Sequence, residues 1–481
     1  MADDDNENKP AKRLKVAATP LGFHLTSLRS GTAEQNRYAM PLSRLLEGEF
    51  TQAIMTNYKV DVPWLFGQHP RLRQVPIYLL HGMHHDTVQA ACRQYKQATV
   101  AAPPLPIPYG THHTKMMVPL CYTLGHALTQ PNKILFYPAY IRVAIFTANF
   151  VAGDWDSKTQ GLWTQDFPLK STTTSTAAPS TFEADLLDYM TALKCSAVTA
   201  LCREQFLKYD FSTANVVLVA SVPGVYRGIH DMHKYGHLRV KKVLQQHVAP
   251  HSHPLVCQYS SLGSLDEKWL HEFYTSFVPG SGTTGSATAQ RGAKTAPTLP
   301  VPAKLHCIWP CVAAVQNSIE GWDAGRSLPC TVKNLKPFLH KYLRHWDPPT
   351  ELHRKTAMPH IKSYATIDPA TENLDFVLLT SANLSKAAWG ALEKGGTQFK
   401  IRSYELGVLF LPTDPPTPTR HFLRLLQHAT TDAELTTSSA MYFPMPFRWP
   451  PRSYNPKTDE PWTWDLERTD VDVFGQTYRL D

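Results

Sequence analysis

A short pattern that occurs twice constrains this chain more than anything else in its 481 residues. His113-Thr114-Lys115 and His360-Ile361-Lys362 each open a largely apolar run that stops at two small residues and an asparagine: Thr147-Ala148-Asn149 after the first, Ser381-Ala382-Asn383 after the second. A tryptophan follows each asparagine at the same spacing, Trp155 and Trp389. Residues i and i+2 of a strand share a face, so each His-x-Lys, placed in a strand, presents an imidazole beside an ammonium. Apolar runs without alternation fit central strands covered on both faces. The duplicated plan predicts an α/β fold of two similar α-β-α sandwich domains, related by pseudo-twofold symmetry, with one composite site between them. The length agrees, because a single core rarely grows past about 250–300 residues.

Only the doubling gives the motif weight. The chain has 22 histidines, and a further His-x-Lys stands at His353-Arg354-Lys355, just before the second motif. What chance does not readily supply is His-x-Lys, apolar run, small-x-Asn and trailing Trp in the same order in both halves.

The rest of the chain sets the boundaries. Residues 1–20 run from Asp3-Asp4-Asp5 into Lys12-Arg13-Leu14-Lys15, with too little apolar surface to order themselves. The basic cluster fits a nuclear import signal and, equally, a solvated tail. The apolar stretch Val216-Val217-Leu218-Val219-Ala220 reads as a buried strand, and the Pro223-Gly224 turn after it is the expected boundary. This gives an N-terminal domain of 21–222 and a C-terminal domain of 223–481. Low-complexity segments at about 168–181 and about 279–300 read as surface inserts. Asp185–Thr199 reads as helical, and so does Pro337–His345, whose proline suits a first helical position.

The net charge of +8 suits a polyanionic partner without demanding one. No run of about 18 apolar residues and no signal-peptide core appears, so a soluble chain that is neither membrane-bound nor secreted is expected. The eight cysteines are scattered. Only Cys307 and Cys311 lie close, and no second pair completes a zinc site, so reduced thiols and no structural metal are expected.

Two His-x-Lys pairs facing each other suit phosphoryl transfer. A histidine attacks phosphorus only when its nitrogen is unprotonated, and assists a leaving group only when protonated. With an unperturbed pKa of about 6.5, imidazole serves either role if its surroundings push the two apart. Lys115 and Lys362 would neutralise the non-bridging phosphate oxygens, and the amides of Asn149 and Asn383 would donate hydrogen bonds to them. Chemistry of this kind calls for no metal and no cofactor.

These motifs resemble the phospholipase D superfamily, whose pattern is His-x-Lys, four residues, Asp, then Gly-Ser-x-Asn. The chain departs from it where Leu120 and Ile367 stand in place of that aspartate. The departure points to the divergent tyrosyl-DNA phosphodiesterase family. The stretches Gly110 through Met117, Lys158-Thr159-Gln160-Gly161, Met358 through Lys362, Ser381 through Lys394 and Arg402 through Gly407 resemble that family closely, and the resemblance runs from about residue 20 to the C-terminus apart from the two inserts. The resemblance implies a nuclear DNA-repair enzyme, with a mitochondrial or cytoplasmic pool left open. It implies hydrolysis of a 3′-phosphotyrosyl bond left by a stalled type I topoisomerase, and the activity extends to other 3′ adducts in this reading. His113 would be the nucleophile and His360 the general acid and base.

Gln160 and Glu405 match the residues that replace the missing aspartates as histidine partners, and spacing does not say which serves which. The physical choice pairs Glu405 with His113, because a carboxylate raises imidazole nucleophilicity, and Gln160 with His360. Tyr109 matches an aromatic that stacks on a DNA base. Ser260, Ser261, Ser385 and Lys386 match phosphate contacts, which position DNA without reading its sequence. Tyr58, Pro329 and Trp464 match the lining of a pocket for the topoisomerase-derived tyrosyl peptide. A monomer with no membrane partner is expected. The alternatives are another phosphodiesterase or nuclease of the superfamily, or a nucleic-acid-binding scaffold without turnover, which degenerate catalytic residues would mark.

Overall fold

The computed structural model describes residues 22–126, 134–171, 178–280, 304–412, 422–429 and 440–480. The expected disordered tail, residues 172–177 of the first low-complexity insert and nearly all of the second lie outside them. The first half supplies β1 (Phe23–Thr26), β2 (Ala39–Met40), β3 (Glu49–Asn57), β4 (Ile77–His81), β5 (Ala98–Ala101), β6 (Met116–His126), β7 (Ile134–Phe146) and β8 (Gly161–Pro168). They form one sheet in the order β2-β1-β8-β7-β6-β3-β4-β5.

The chain then forms β9 (Val217–Ser221), β10 (Gly224–Arg227), β11 (Leu255–Gln258), β12 (Leu305–Trp309), β13 (Leu343–His345), β14 (Ser363–Ile367) and β15 (Asn373–Thr380). It continues with β16 (Ala391–Glu393), β17 (Gln398–Ile401), β18 (Glu405–Phe410), β19 (Phe422–Leu425) and β20 (Ala440–Phe443). The second sheet runs β13-β12-β11-β14-β15-β18-β9, and β10, β17 and β16 make a small separate one.

Seven strands of each large sheet follow one shared path. β5-β4-β3-β6-β7-β8-β1 and β13-β12-β11-β14-β15-β18-β9 share one order, and the sense of every neighbouring pair agrees. β3, β4 and β5 are mutually parallel, as are β11, β12 and β13, and all the remaining pairs on both paths are antiparallel. β7 and β15, the apolar runs that end at the asparagines, are central as expected. β9 is the counterpart of β1 and belongs to the second sheet. The Pro223-Gly224 turn therefore falls after the first strand of that sheet, and the structural repeat begins before it.

The helices explain two further departures. The expected helix Asp185–Thr199 is two, Thr181–Ala192 and Ser196–Phe206, separated at Lys194, whose φ is 55°. A left-handed residue cannot continue a right-handed helix. Pro337 does open a helical segment, but it is a short 3-10 turn, Pro337–Tyr342, and Leu343–His345 leaves it to pair with β12.

Packing draws the sheets together. Phe182, Leu186, Tyr189 and Met190 of Thr181–Ala192 share one buried core with Trp163 of β8 and with Leu218 and Val219 of β9, strands of different sheets. A second core, with Met117, Ala144, Phe146 and Leu162, lies on the opposite face of the first sheet under Leu65, Phe66 and Val88. On the second sheet, helix Glu267–Phe277 lays Phe273 and Phe277 against Tyr364 and Trp389, with ring centroids 5.3–5.8 Å apart. The trailing tryptophans are core anchors of two short equivalent helices, Ala152–Asp156 and Lys386–Trp389. Gly161 lets the halves close. A Cβ there would stand 2.6 Å from Leu379 Cδ1 and 2.8 Å from Ile361 Cδ1.

Candidate active site

Neither His-x-Lys lies within a strand. β6 starts at Met116 and β14 at Ser363, each directly after its lysine. The backbone at each motif pairs with the other half instead. His113 N donates to Tyr404 O at 3.0 Å and Tyr404 N to Thr111 O at 2.9 Å, while His360 N donates to Thr159 O and Thr159 N to Met358 O, both at 2.9 Å. Thr114 and Ile361, the middle residues, are buried in the core. Thr114 bonds the Tyr189 hydroxyl, and Ile361 packs at Gly161.

These exchanges set each histidine beside a partner from the opposite repeat. His113 Nδ1 donates to Glu405 Oε2 at 2.9 Å. His360 Nδ1 lies 3.0 Å from Gln160 Nε2 and 3.1 Å from Gln160 Oε1. Gln160 and Glu405 are topological equivalents, the last residue before β8 and the first of β18. The supports behind them correspond. Thr147 Oγ1 donates to Gln160 Oε1 at 2.8 Å and accepts from Gly161 N at 3.0 Å. Ser381 Oγ donates to Glu405 Oε2 at 2.5 Å and accepts from Leu406 N at 3.0 Å. With Nδ1 of both rings engaged, Nε2 is the nitrogen left for chemistry.

The asparagines are fixed in the same way. Asn149 Oδ1 accepts from Lys59 N at 3.4 Å, and Asn383 Oδ1 accepts from Ser260 N at 3.0 Å and Ser261 N at 3.1 Å. Holding the carbonyl oxygen by backbone N–H leaves the amide NH₂ as the donor toward the cavity both residues line. The lysines are fully buried, and each Nζ donates to its own motif's histidine carbonyl, Lys115 at 3.0 Å and Lys362 at 2.5 Å.

Burial sets the protonation states. It pushes the Lys115 ammonium down to about 8, against the attraction of Glu405 and Asp154. Lys362 falls well below its ordinary value through burial and the repulsion of Lys115. His113 is lowered by burial and by Lys115, with Glu405 pulling the other way. His360 is lowered well below its ordinary range by burial and then by Lys362, Lys115 and Lys158. Burial thus disfavours the charged form of all four groups, and a bound phosphodiester anion would favour it, including the imidazolium that an acid role for His360 requires.

A cavity of about 860 Å³ opens on this centre. Both histidines, both asparagines and Glu405 line it, together with Tyr58, Tyr109, Ser260, Ser261, Pro329, Ser385 and Trp464. Tyr109 is 87% exposed with a φ of 61°, a strained backbone that lifts an aromatic ring to the rim. The Tyr58 ring lies 5.5 Å from that of His113. Ser385 caps helix Lys386–Trp389, accepting from Ala388 N at 3.2 Å. Lys115, Lys362 and Gln160 are buried just behind the wall. Lys386 is absent from the lining and ion-paired with Asp266, so it is not brought together with the others.

Sequence reasoning missed four charged groups in the wall, Lys59, Asp154, Lys158 and Arg326. Asp154, in helix Ala152–Asp156, places Oδ2 3.4 Å from His360 Nδ1 and accepts from Asn149 N at 2.6 Å. Lys158 pairs with Glu320 at 2.5 Å. Lys158 lies within a quoted stretch, but nothing in the spacing of these residues singled them out. For metals, one donor group stands out among the described residues, His251, His253 and Asp375, away from this cavity. His253 Nδ1 is 2.8 Å from Asp375, and His251 Nδ1 accepts from His253 N, which leaves the proton on His251 Nε2. The cysteines of the chain are all free thiols. No helix among the described residues is long and apolar enough to cross a membrane.

Comparison with known proteins agrees with this geometry. The family model described as tyrosyl-DNA phosphodiesterase matches residues 22–455. The chain belongs to the tyrosyl-DNA phosphodiesterase family. It is therefore a phosphodiesterase, a hydrolase of phosphoric diester bonds. Tyrosyl-DNA phosphodiesterase 1 of Arabidopsis thaliana is 36% identical over 95% of this chain and 76% of its own length. The protein of the same name from Drosophila melanogaster is 32% identical over 84% of this chain and 68% of its own. The yeast tyrosyl-DNA phosphodiesterase crystal structure shares the fold, with a TM-score of 0.66 over 92% of this chain and 99% of that one at 18% identity.

Proposed function

We propose that this tyrosyl-DNA phosphodiesterase family member is a DNA-repair enzyme that hydrolyses the 3′-phosphotyrosyl bond between DNA and a peptide of a stalled type I topoisomerase. The observation that carries the reading is the pair of opposed imidazoles. Each is anchored through Nδ1 by the other repeat, and between them lies a cavity edged by two amide donors and backed by two buried lysines.

The reaction proceeds in two displacements. His113 Nε2 attacks phosphorus, a P–N bond forms, the P–O bond to tyrosine breaks, and the phenolic oxygen takes a proton from His360. A water then gives a proton to His360 as its oxygen attacks phosphorus. The P–N bond breaks, and a 3′-phosphate leaves. The Glu405 carboxylate holds the proton on His113 Nδ1, keeping the lone pair on Nε2. Lys115, Lys362, Asn149 and Asn383 compensate the charge that builds on the non-bridging oxygens. The cavity is roomier than one tyrosine requires, which favours other 3′ adducts as further substrates.

Tyr109, Ser260, Ser261 and Ser385 receive the DNA end, single-stranded or frayed, while Tyr58, Pro329 and Trp464 receive the peptide. Lys386 joins the DNA contacts only by exchanging Asp266 for a phosphate. The chain works as a monomer in the nucleus, in keeping with its composite site and with the Lys12-Arg13-Leu14-Lys15 cluster.

The test is release of tyrosine from one 3′-phosphotyrosyl oligonucleotide by purified protein. Turnover in chelator is expected, with none by His113→Ala. His360→Asn is expected to accumulate a covalent protein–DNA adduct resolved on a gel. Full activity of His113→Ala would overturn the reading.

A further inference from the structure

The two repeats differ at two equivalent places, and the differences compensate. The residue after the short cross-half pairing is an acid in one repeat, Glu405, and a neutral amide in the other, Gln160. Five residues beyond the signature asparagine, in the short helix that follows it, the acid is in the other repeat. Asp154 follows Asn149, and Ala388 stands at the matching position after Asn383. Each histidine thereby touches one carboxylate. His113 Nδ1 meets Glu405 at 2.9 Å, and His360 Nδ1 meets Asp154 at 3.4 Å.

From this complementarity we infer that Asp154 is the positioning residue of His360, supplying the negative charge that lets its imidazole carry the proton given to the leaving tyrosine. The inference rests on the acid and base role proposed for His360. The surroundings show why such a charge is required. Lys362 lies 3.2 Å from His360 Nδ1, and the positive charges of Lys115 and Lys158 also disfavour its protonation. Gln160 is neutral, Glu405 is bonded to His113, and Glu320 is paired to Lys158. Among the described residues, Asp154 is the one carboxylate in ion-pair contact with His360. It is 4% exposed, so water screens it little. Its second task, accepting from Asn149 N, locks it in place and ties the acid to the phosphate-binding amide.

The decisive variant is Asp154→Asn, which keeps an acceptor for Asn149 N–H and removes only the charge. The experiment reads the rate of tyrosine release against pH. That rate falls as His360 loses its proton, and the alkaline limb is expected to move down by about one pH unit in the variant, as loss of an opposite charge within ion-pair distance shifts an imidazole. Moving the carboxylate back, in Asp154→Asn with Gln160→Glu, is expected to return the limb toward its original place. A uniform loss at every pH, with the limb unmoved, would make Asp154 purely structural and overturn the inference. Asp154→Ser, which also keeps an oxygen acceptor, takes the place of the asparagine variant if that protein does not fold. Titration of His360 by ¹⁵N shifts, in the complex with a 3′-phosphate oligonucleotide, separates the two readings. It needs binding and no turnover, so a downward shift in Asp154→Asn stands even if wild-type protein releases no tyrosine. An unchanged titration overturns the inference alone.

Discussion

Gln160 and Glu405 occupy the same place in the two repeats, and each serves the histidine of the other repeat. The pseudo-twofold axis thus exchanges partners as well as sheets, and the one chemical difference between them, amide against carboxylate, makes a symmetric frame asymmetric. Glu405→Gln keeps the shape and removes the charge from behind His113. Tyrosine release is expected to fall on the order of 10²-fold or more, by the reasoning that applies to a buried carboxylate holding an imidazole tautomer. Single-turnover kinetics on a 3′-phosphotyrosyl strand measure it, and a rate within threefold of wild type, on the order of experimental spread, would remove Glu405 from the account.

The hydroxyls behind these partners predict a crossed phenotype. Thr147→Val frees Gln160 and leaves the buried Gly161 N–H without its acceptor, a cost of about 1–3 kcal/mol. Ser381→Ala does the same to Glu405 and Leu406. Since the partners cross over, Thr147→Val in the first repeat is expected to slow the steps that need His360. Ser381→Ala in the second is expected to slow the attack by His113. Comparing adduct accumulation with tyrosine release in the two variants checks this, and the same defect in both would contradict it.

The buried lysines predict proton uptake on binding. Lys115 titrates at about 8 in the free protein, so it carries its charge below that pH and loses it as pH rises through it. A phosphate anion favours the ammonium and raises that value in the complex. Just above pH 8, binding a 3′-phosphate oligonucleotide should draw a proton from the buffer, and affinity should weaken as pH climbs further. Calorimetry in two buffers of different ionisation enthalpy reads the uptake directly. Equal heats in both would mean that the lysines keep their protons in the free site.

What was legible in the sequence was what repeats. The two His-x-Lys and small-x-Asn sets mark the same strands of both sheets, so the duplication and the residues at the centre of the candidate site were readable from pattern alone. The pairing of Glu405 with His113 and Gln160 with His360, chosen on basicity and on the family resemblance, is the one the structure shows. Spacing could not reveal it, because β16 and β17 are inserted between Asn383 and Glu405 and have no counterpart after Asn149. The strand placement of the motifs failed because a strand pattern does not reveal that the backbone leaves its own sheet to pair across the halves. Asp154 had no signal, since comparing the repeats sets it against Ala388. Val216–Ala220 read correctly as a strand, but strand character does not say which sheet a strand joins, and the boundary drawn after it split the second sheet.

Gly161 joins stability to chemistry. It follows Gln160 directly, starts β8, and lies where the two sheets touch, with no room for a side chain between Leu379 and Ile361. Its hydrogen bonds run to Thr147, whose hydroxyl also holds Gln160. Gly161→Val must push aside Leu379 and Ile361, the latter the middle residue of the second motif, and overpacking of this kind costs about 1–3 kcal/mol. Because Ile361 sits between His360 and Lys362, its displacement is transmitted to His360 and not to His113. The variant is expected to melt several degrees lower and to accumulate covalent adduct, as a defect at His360 does, while its first displacement is less affected. A lower melting temperature with both steps reduced equally would show that the contact serves only to hold the halves together.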